Sequence, residues 1–228
     1  MGPCDFTREY GVVVRKMWLD KGCDGPVHPG PLLGALCARF SQFKGGHPCD
    51  VQEVILCMID IFEKSLDKAW VESIFYGQQV QVVAWPKGKK EGPPELFASL
   101  MIYPTQNDLT LDELIRKHEE VNSLEGYQDD QGNTWPIAGT QTKISKDPKI
   151  LMVTFRMYDE KKTIKLPEVF REKYHLFAAA VHHGSTIGGH YTALVKHKGK
   201  WYHKDDVSVE EVNYFPKSAS YYFCMYKS

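Results

Sequence analysis

Residues 181–194 read VHHGSTIGGHYTAL and residues 200–207 read KWYHKDDV, and these two segments constrain the architecture more than the rest of the chain. Both are rich in aliphatic and aromatic residues, and a Lys-Gly pair between them is a hairpin signal. His190 opens a strand after two glycines, which let another backbone approach the imidazole closely. The hairpin returns the chain, so that Asp205 can reach the imidazole nitrogen that faces away from a nucleophile. The pattern predicts a base with an orienting carboxylate, which a thiol nucleophile needs.

The second half of the chain is β-rich, because its aliphatic and aromatic runs are bounded by Gly, Pro or charged turns. Strands are predicted at residues 150–157, 175–182, 190–197, 200–203 and 221–226. Less regular hairpins are predicted at residues 75–100 and 126–142. The strands together predict an antiparallel sheet.

The first half of the chain is mainly helical. Apolar residues recur at helical spacing over residues 29–43 and again from Asp50 onward, where Asp50 and Glu53 are spaced as a capping box. Thr110 and Glu113 have the same spacing and predict a short helix over residues 110–121. A helical lobe followed by a sheet predicts an α+β fold with a cleft where the two meet.

Composition excludes several classes of partner. The chain has 228 residues, 43% of them hydrophobic, and a formal net charge of -1, which gives no electrostatic basis for binding nucleic acid or an anionic membrane surface. An apolar run of about 20 residues, or an apolar signal-peptide core, is not found. The six cysteines form no Cys-x-x-Cys pair, so neither a zinc ribbon nor a disulfide framework is predicted. We expect one catalytic-size unit in the cytoplasm or nucleus.

Several segments together resemble ubiquitin-specific proteases. The Gly-Gly-His-Tyr sequence at 188–191, followed after a hairpin by Trp and Asp-Asp, resembles their histidine box. Residues 49–53 (CDVQE) resemble their Gln-Asp-x-x-Glu box, and residues 73–77 (SIFYG) resemble the Phe-x-Gly strand that follows it. Residues 148–156 resemble their Pro-x-x-Leu segment. In order and rough spacing the resemblance covers about residues 29–228.

The resemblance implies a member of the papain-like cysteine protease superfamily. It implies one domain over residues 1–228, with a helical thumb at about 1–70, fingers and a connecting helix at 71–148, and a palm sheet at 149–228. It further implies His190 as general base, Asp205 as its orienter and Asp206 as a polar support. The residues implied to contact the ubiquitin tail are Asp50, Glu53, Gly188, Gly189 and Tyr191.

The family's cysteine motif, an Asn-x-Gly-x-Thr-Cys-like turn, has no recognisable counterpart here. Cys4 is the best candidate, because a helix predicted after it would lower the pKa of the thiol. The alternative interpretation of Cys4 is an ordinary terminal residue without a catalytic role.

Many members of the family hold zinc in the fingers with two Cys-x-x-Cys pairs. The corresponding residues here are 84–87 (AWPK) and 127–130 (YQDD), so neither a metal nor a cofactor is expected.

Two functions therefore stay open from the sequence. The first is a thiol hydrolase that removes ubiquitin or a ubiquitin-like modifier from conjugates and acts as a monomer. The second is a catalytically inactive or truncated member that binds ubiquitin or another protein. The intact His190 and Asp205 favour the first, and the missing cysteine motif favours the second.

Overall fold

The computed structural model describes residues 4–19, 27–157, 160–185 and 188–228. Cys23 lies outside the described residues. The chain divides into two compact units, Met1–Ile74 and Phe75–Ser228. The three-part division at residues 70 and 148 stays a prediction.

The first unit is helical. Its elements are α1 (Asp5–Trp18), α2 (Gly30–Arg39), a 3-10 turn (Ser41–Gly46), α3 (Val51–Ser65) and α4 (Lys68–Phe75). The helix predicted over 29–43 stops early because Phe40 is extended, with φ -126° and ψ 96°. Its core brings together α1, α2, the 3-10 turn and α3 through Phe6, Leu36, Phe43 and Ile61. Apolar periodicity therefore predicted this unit well.

The predicted strand over 73–77 is wrong in its first half. Asp67 accepts a hydrogen bond from the Trp70 backbone (2.7 Å) at the start of α4, and α4 then continues through Phe75. The strand begins only at Gly77. The side-chain cap favours a helix over a segment that the family resemblance assigned to a strand.

The second unit begins with a five-stranded sheet whose order is β2-β1-β7-β6, with β3 also pairing β1. Its strands are β1 (Gly77–Trp85), β2 (Gly88–Glu91), β3 (Glu95–Phe97), β6 (Asn122–Gln128) and β7 (Thr134–Lys146). The two segments compared with zinc-binding pairs meet near one end of this sheet, where the rings of Trp85 and Tyr127 lie 5.1 Å apart. An aromatic contact thus joins them.

An eight-stranded sheet carries the predicted histidine box, in the order β14-β13-β12-β11-β16-β8-β4, with β10 pairing β11. Its strands are β4 (Ser99–Ile102), β8 (Ile150–Phe155), β10 (Val169–Phe170), β11 (Tyr174–Ser185), β12 (Gly188–His197), β13 (Lys200–Asp205), β14 (Ser208–Val212) and β16 (Tyr221–Lys227). All five strands predicted for this half are confirmed. The antiparallel prediction needs one correction, because β4 pairs with β8 in parallel.

A short helix and three two-residue strands complete the unit. The helix α5 (Leu111–His118) begins with the predicted capping box of Thr110 and Glu113, and it buries Leu111, Leu114 and Ile115. The small sheet consists of β5 (Leu109–Thr110), β9 (Ile164–Lys165) and β15 (Ser218–Ala219).

Buried tyrosines hold the eight-stranded sheet together. The hydroxyls of Tyr174, Tyr221 and Tyr226 donate to the carbonyls of Pro148, Pro216 and Pro167 respectively, so each of these three buried hydroxyls has an acceptor. Burial raises the pKa of Tyr174 to about 12. These hydrogen bonds stabilise β11 and β16, which belong to the same sheet as β12 and β13.

The five cysteines within the described residues are free thiols. Cys224 is fully buried. Cys37 and Cys57 are only half-buried, since they lie at the edge of the helical core. Of the described helices, none is both long and apolar enough to cross a membrane.

Candidate active site

Three adjacent strands bring the predicted histidine and aspartate together. Strand β12 pairs with β11 so that His183 lies opposite His190, and it pairs with β13 so that Ala193 lies opposite Lys204. The next position of that register sets Asp205 beside Thr192, which is two residues from His190 and on the same face of the sheet. Side-chain alternation therefore directs both catalytic candidates to one face.

His190 and Asp205 form a short, direct contact. The imidazole Nε2 lies 2.5 Å from Asp205 Oδ1, and the two side chains are 45% and 46% exposed. Because Nε2 is engaged by the carboxylate, Nδ1 is the nitrogen that remains for exchanging a proton with a substrate or nucleophile. The arrangement is that of a base held in one tautomer by its partner.

Asp206 adds a second carboxylate. It occupies the turn after β13 with φ 48°, a left-handed conformation that aspartate tolerates better than most residues. One ligand atom from each of His190, Asp205 and Asp206 lies within 4.8 Å of the other two. This set could hold a divalent cation, and without one it surrounds the imidazole with negative charge.

The pKa of His190 is raised above its ordinary value. The hydrogen bond to Asp205 is the main cause, slight burial opposes it, and the charges of Asp205 and Asp206 add to it. A raised pKa means that the imidazolium persists to higher pH. The small contribution of this pair to the free energy of unfolding is fully present at a pH below the pKa of His190 in the unfolded chain. It is lost as the pH rises through the higher pKa of His190 in the folded chain.

We expect the NMR titration midpoint of His190 to lie above about 6.5, the value of a free histidine side chain. In Asp205→Asn the midpoint should fall, because the main cause of the shift is removed. Asp206→Asn should lower it less, since only a charge is lost. A midpoint unchanged in Asp205→Asn would contradict the assignment.

The two glycines before His190 differ in their surroundings. A Cβ on Gly189 would lie 2.3 Å from His182 Nε2 and 2.4 Å from the His183 carbonyl oxygen. On Gly188, a Cβ would meet no atom of the described residues within 4 Å. Of these two glycines, Gly189 is therefore the one that a close approach among the described residues requires.

Tyr191 lies on the opposite face of β12 from His190. Its ring lies 4.6 Å from that of His182 and 5.6 Å from that of Tyr222. Because side chains alternate along a strand, His190 and Asp205 lie on one face of the sheet and Tyr191 lies on the other. Tyr222 was missed, because only the pairing of β11 with β16 brings it here.

Asp50 and Glu53 lie in the helical unit, at the start of α3. Asp50 Oδ1 accepts a hydrogen bond from the Gln52 backbone (2.7 Å), which confirms Asp50 as the N-cap residue but not the capping box predicted with Glu53. Glu53 is directed to Gln42, whose Nε2 lies 3.5 Å from Oε1. Contact of this pair with a ubiquitin tail stays a prediction.

Cys4 occupies the N-cap position of α1, as its sequence context predicted. Its Sγ lies 3.3 Å from Thr7 Oγ1, which in turn lies 2.6 Å from Ser65 Oγ. Burial opposes ionisation of the thiol, but the hydrogen bonds of Thr7 and Ser65 outweigh it and lower the pKa of Cys4. Ser65 was missed, because a residue 61 positions away gives no sequence signal.

A hydroxyl chain next to Cys4 can reverse its direction. Ser65 donates to the Ile61 carbonyl (2.7 Å), so with a neutral thiol the protons run from Cys4 through Thr7 to Ser65. When the thiolate forms, two hydroxyl rotations let Thr7 donate to Sγ and Ser65 donate to Thr7. The helix N-terminus favours the same anion.

Comparison with known proteins identifies the family. The protein-family model for ubiquitin carboxyl-terminal hydrolase matches residues 2–171 and 156–226 of this chain. Ubiquitin carboxyl-terminal hydrolase 3 of Homo sapiens is 54% identical over 37 residues, which are 16% of this chain and 7% of that protein. Ubiquitin carboxyl-terminal hydrolase 15 of Rattus norvegicus is 49% identical over 43 residues, 18% of this chain and 4% of that protein.

A solved structure shows the same fold. The SAGA Ubp8/Sgf11/Sus1/Sgf73 DUB module bound to ubiquitin aldehyde matches with a TM-score of 0.85 and 16% identity, covering 99% of this chain and 59% of that chain. This confirms the α+β, papain-like fold of the ubiquitin-specific protease type. The matched parts are thus less than two thirds of these relatives' own lengths. Nearly all of this chain matches the family model, and the chain therefore belongs to the ubiquitin carboxyl-terminal hydrolase family.

Proposed function

We propose that this chain is a thiol hydrolase that cleaves the bond after the C-terminal glycine of ubiquitin or a ubiquitin-like modifier. The observation that carries the proposal is the 2.5 Å contact between His190 Nε2 and Asp205, which leaves Nδ1 for proton transfer. A hydrogen-bonded carboxylate fixes the tautomer and stabilises the imidazolium that forms during reaction. An inactive protein has no chemical need for this orienter.

The nucleophile in this proposal is Cys4. The thiol gives its proton to His190, and the thiolate attacks the glycine carbonyl carbon to form a tetrahedral intermediate. His190 returns the proton to the leaving lysine amine as the bond breaks, and the products are a thioester on Cys4 and the free target protein. Water, activated by the same imidazole, then releases the modifier. Backbone amides at the start of α1 would stabilise the oxyanion.

Recognition of the modifier is proposed to use its C-terminal tail. Asp50 and Glu53 would pair with basic side chains of the tail, and Gly188 and Gly189 would leave room for two terminal glycines next to His190. Gly188 is the better candidate for contact, because a side chain added there would enter open space among the described residues. We further propose that the protein acts as a monomer in the cytoplasm or nucleus.

The second candidate is a member that binds ubiquitin without cleaving it. The sequence favours it in one respect, since the residues around Cys4 do not resemble the family's cysteine motif. It predicts reversible binding of ubiquitin and no turnover. A chain whose nucleophile lies on a segment beyond these residues would behave in the same way.

The test is a covalent probe, ubiquitin carrying a thiol-reactive electrophile at its C-terminus, with intact and peptide mass as the readout. We expect one adduct on Cys4 that is lost in Cys4→Ser and kept in Cys49→Ser, whose thiol donates a hydrogen bond to the nearby His47 carbonyl. An adduct on another cysteine would show that the nucleophile is misplaced. Reversible binding with no adduct would select the inactive or truncated alternative.

A further inference from the structure

The hairpin that follows Asp205 has an exposed outer strand. In the sheet order β14 is terminal and pairs with β13. Residues 208–211 of β14 are exposed on both faces, and in the turn before them Val207 is 100% exposed. Val209 is 58% exposed. The exposed valine on the edge strand and the one in the turn before it form a surface that another chain could cover.

The backbone of β14 can accept a further strand. Asp205 and Ser208 flank a two-residue turn and form the first pair of the ladder, so their backbone groups face each other. Alternation then directs the N–H and C=O groups of Val209 and Glu211 away from β13. Unpaired groups of this kind on a terminal strand bind extended peptides by strand addition.

The charge of this edge specifies the partner. Residues 205–214 (DDVSVEEVNY) contain four carboxylates and no lysine, arginine or histidine. Glu211 is paired with Lys200 (2.9 Å to both oxygens), and Lys204 on β13 lies opposite Val209. Asp206 and Glu210 nevertheless leave the edge acidic. A second copy of the same strand or a nucleic acid would be repelled, whereas a basic segment would be attracted.

The edge starts at the candidate site. Asp205 binds His190, and Val209 is four residues further along, across the turn. Neighbouring strands lie about 4.8 Å apart, so a peptide paired with β14 would run three strand spacings, roughly 14–15 Å, from the β12 backbone that carries His190. An extended lysine side chain covers less than half of that distance, so the modified lysine has to lie where the peptide continues past the turn toward His190. The geometry suits a peptide whose lysine carries the modifier.

We propose that β14 binds the target side of the isopeptide bond, as an extended, lysine- and arginine-rich segment that pairs with Val209 and Glu211 and presents the modified lysine to His190. This inference rests on the proposed function. It specifies which target proteins are preferred. The contacts proposed with the C-terminal tail of the modifier do not specify this, because they recognise the modifier alone.

The test compares two substrates. One is ubiquitin joined through an isopeptide bond to a basic 12-residue peptide, and the other is a ubiquitin C-terminal fluorogenic reporter, which has no peptide on the leaving side. In Val209→Pro, which removes one outward N–H, kcat/KM for the branched substrate should fall about 5- to 20-fold, as expected for one or two lost hydrogen bonds. Reporter hydrolysis should change less than about twofold.

Charge reversal gives a second test. Glu210→Lys should lower kcat/KM for the basic branched peptide and raise it for a matched peptide with acidic flanks. Glu125→Lys on strand β6 of the five-stranded sheet, whose side chain is also exposed, serves as the control and should change neither. Equal effects on branched substrate and reporter, or no effect on either, would overturn the proposal.

Binding separates this inference from the proposed function. Fluorescence anisotropy of the free basic peptide should report binding to the wild-type chain that is lost in Val209→Pro. If the chain hydrolyses no reporter but this binding persists, the proposed function fails and the edge assignment stands. If reporter is hydrolysed and no peptide binds, the edge assignment alone fails. Sedimentation tests a second copy of the chain as the partner of β14. If the wild-type chain is a dimer and Val209→Pro is a monomer, the partner is a second copy and the assignment of a basic peptide is wrong.

Discussion

His190→Ala is expected to hydrolyse a ubiquitin C-terminal reporter about 10³- to 10⁴-fold more slowly than the wild-type chain. The loss is large because one imidazole both takes the thiol proton and returns it to the leaving group, and a positioned acid–base group contributes about 10²- to 10⁴-fold. The measurement is kcat/KM at a pH above the raised pKa of His190, where the neutral base dominates.

The control is His183→Ala. His183 lies opposite His190 on β11 and contacts Thr192 Oγ1 at 3.1 Å, so the variant removes a histidine from the same face of the same hairpin. We expect its activity to stay within a few-fold of wild type, with a stability loss of about 1 kcal/mol for the hydrogen bond. Equal loss in both variants would point to disruption of the hairpin rather than removal of a base.

Gly189→Ala is expected to cost both stability and turnover. Its Cβ would lie 2.4 Å from the His183 carbonyl oxygen, which is backbone and cannot rotate away, and 2.3 Å from the His182 ring. Strand β12 must therefore shift next to His190. Overpacking of this kind costs about 1–3 kcal/mol, and a displacement of about 1 Å at a catalytic group can cost 10²-fold in rate. Thermal unfolding and reporter kinetics measure the two effects.

Gly188→Ala provides the matched comparison. The same methyl group one residue earlier meets no described atom within 4 Å, so the unfolding temperature should stay close to wild type. If the modifier tail passes over Gly188, KM should rise while stability is unchanged. Equal destabilisation by the two substitutions would contradict the close approach at Gly189.

Sequence patterns predicted the elements that depend on local chemistry. Caps at Asp50 and Thr110, the apolar period of α3 and the β-rich runs after Ile150 all correspond to elements of the structure. The contact between His190 and Asp205 was also predicted, because a two-residue turn between two strands fixes which side chains meet. Short-range periodicity and turn chemistry carry this information.

What the sequence did not predict depends on contacts between distant segments. The parallel pairing of β4 with β8 joins strands about 50 residues apart, and the hydroxyl chain from Cys4 to Ser65 joins two helices. The exposed strand β14 was missed for another reason. Its run of valines and glutamates buries neither face, so it lacks the usual contrast between apolar and polar positions.

The two-residue turn at Lys198 and Gly199 has a consequence for insertions and deletions. Both residues have positive φ, 48° and 84°, and the turn sets the register of β13 against β12. Because side chains alternate, a change of one residue in this turn would exchange Asp205 for Lys204 or Asp206 on the face of His190. A change of two residues would keep the parity of the strand. The length of a surface turn eight or nine residues after His190 therefore decides which side chain lies beside the imidazole. We expect the chain to tolerate insertions or deletions of two residues in this turn better than those of one residue.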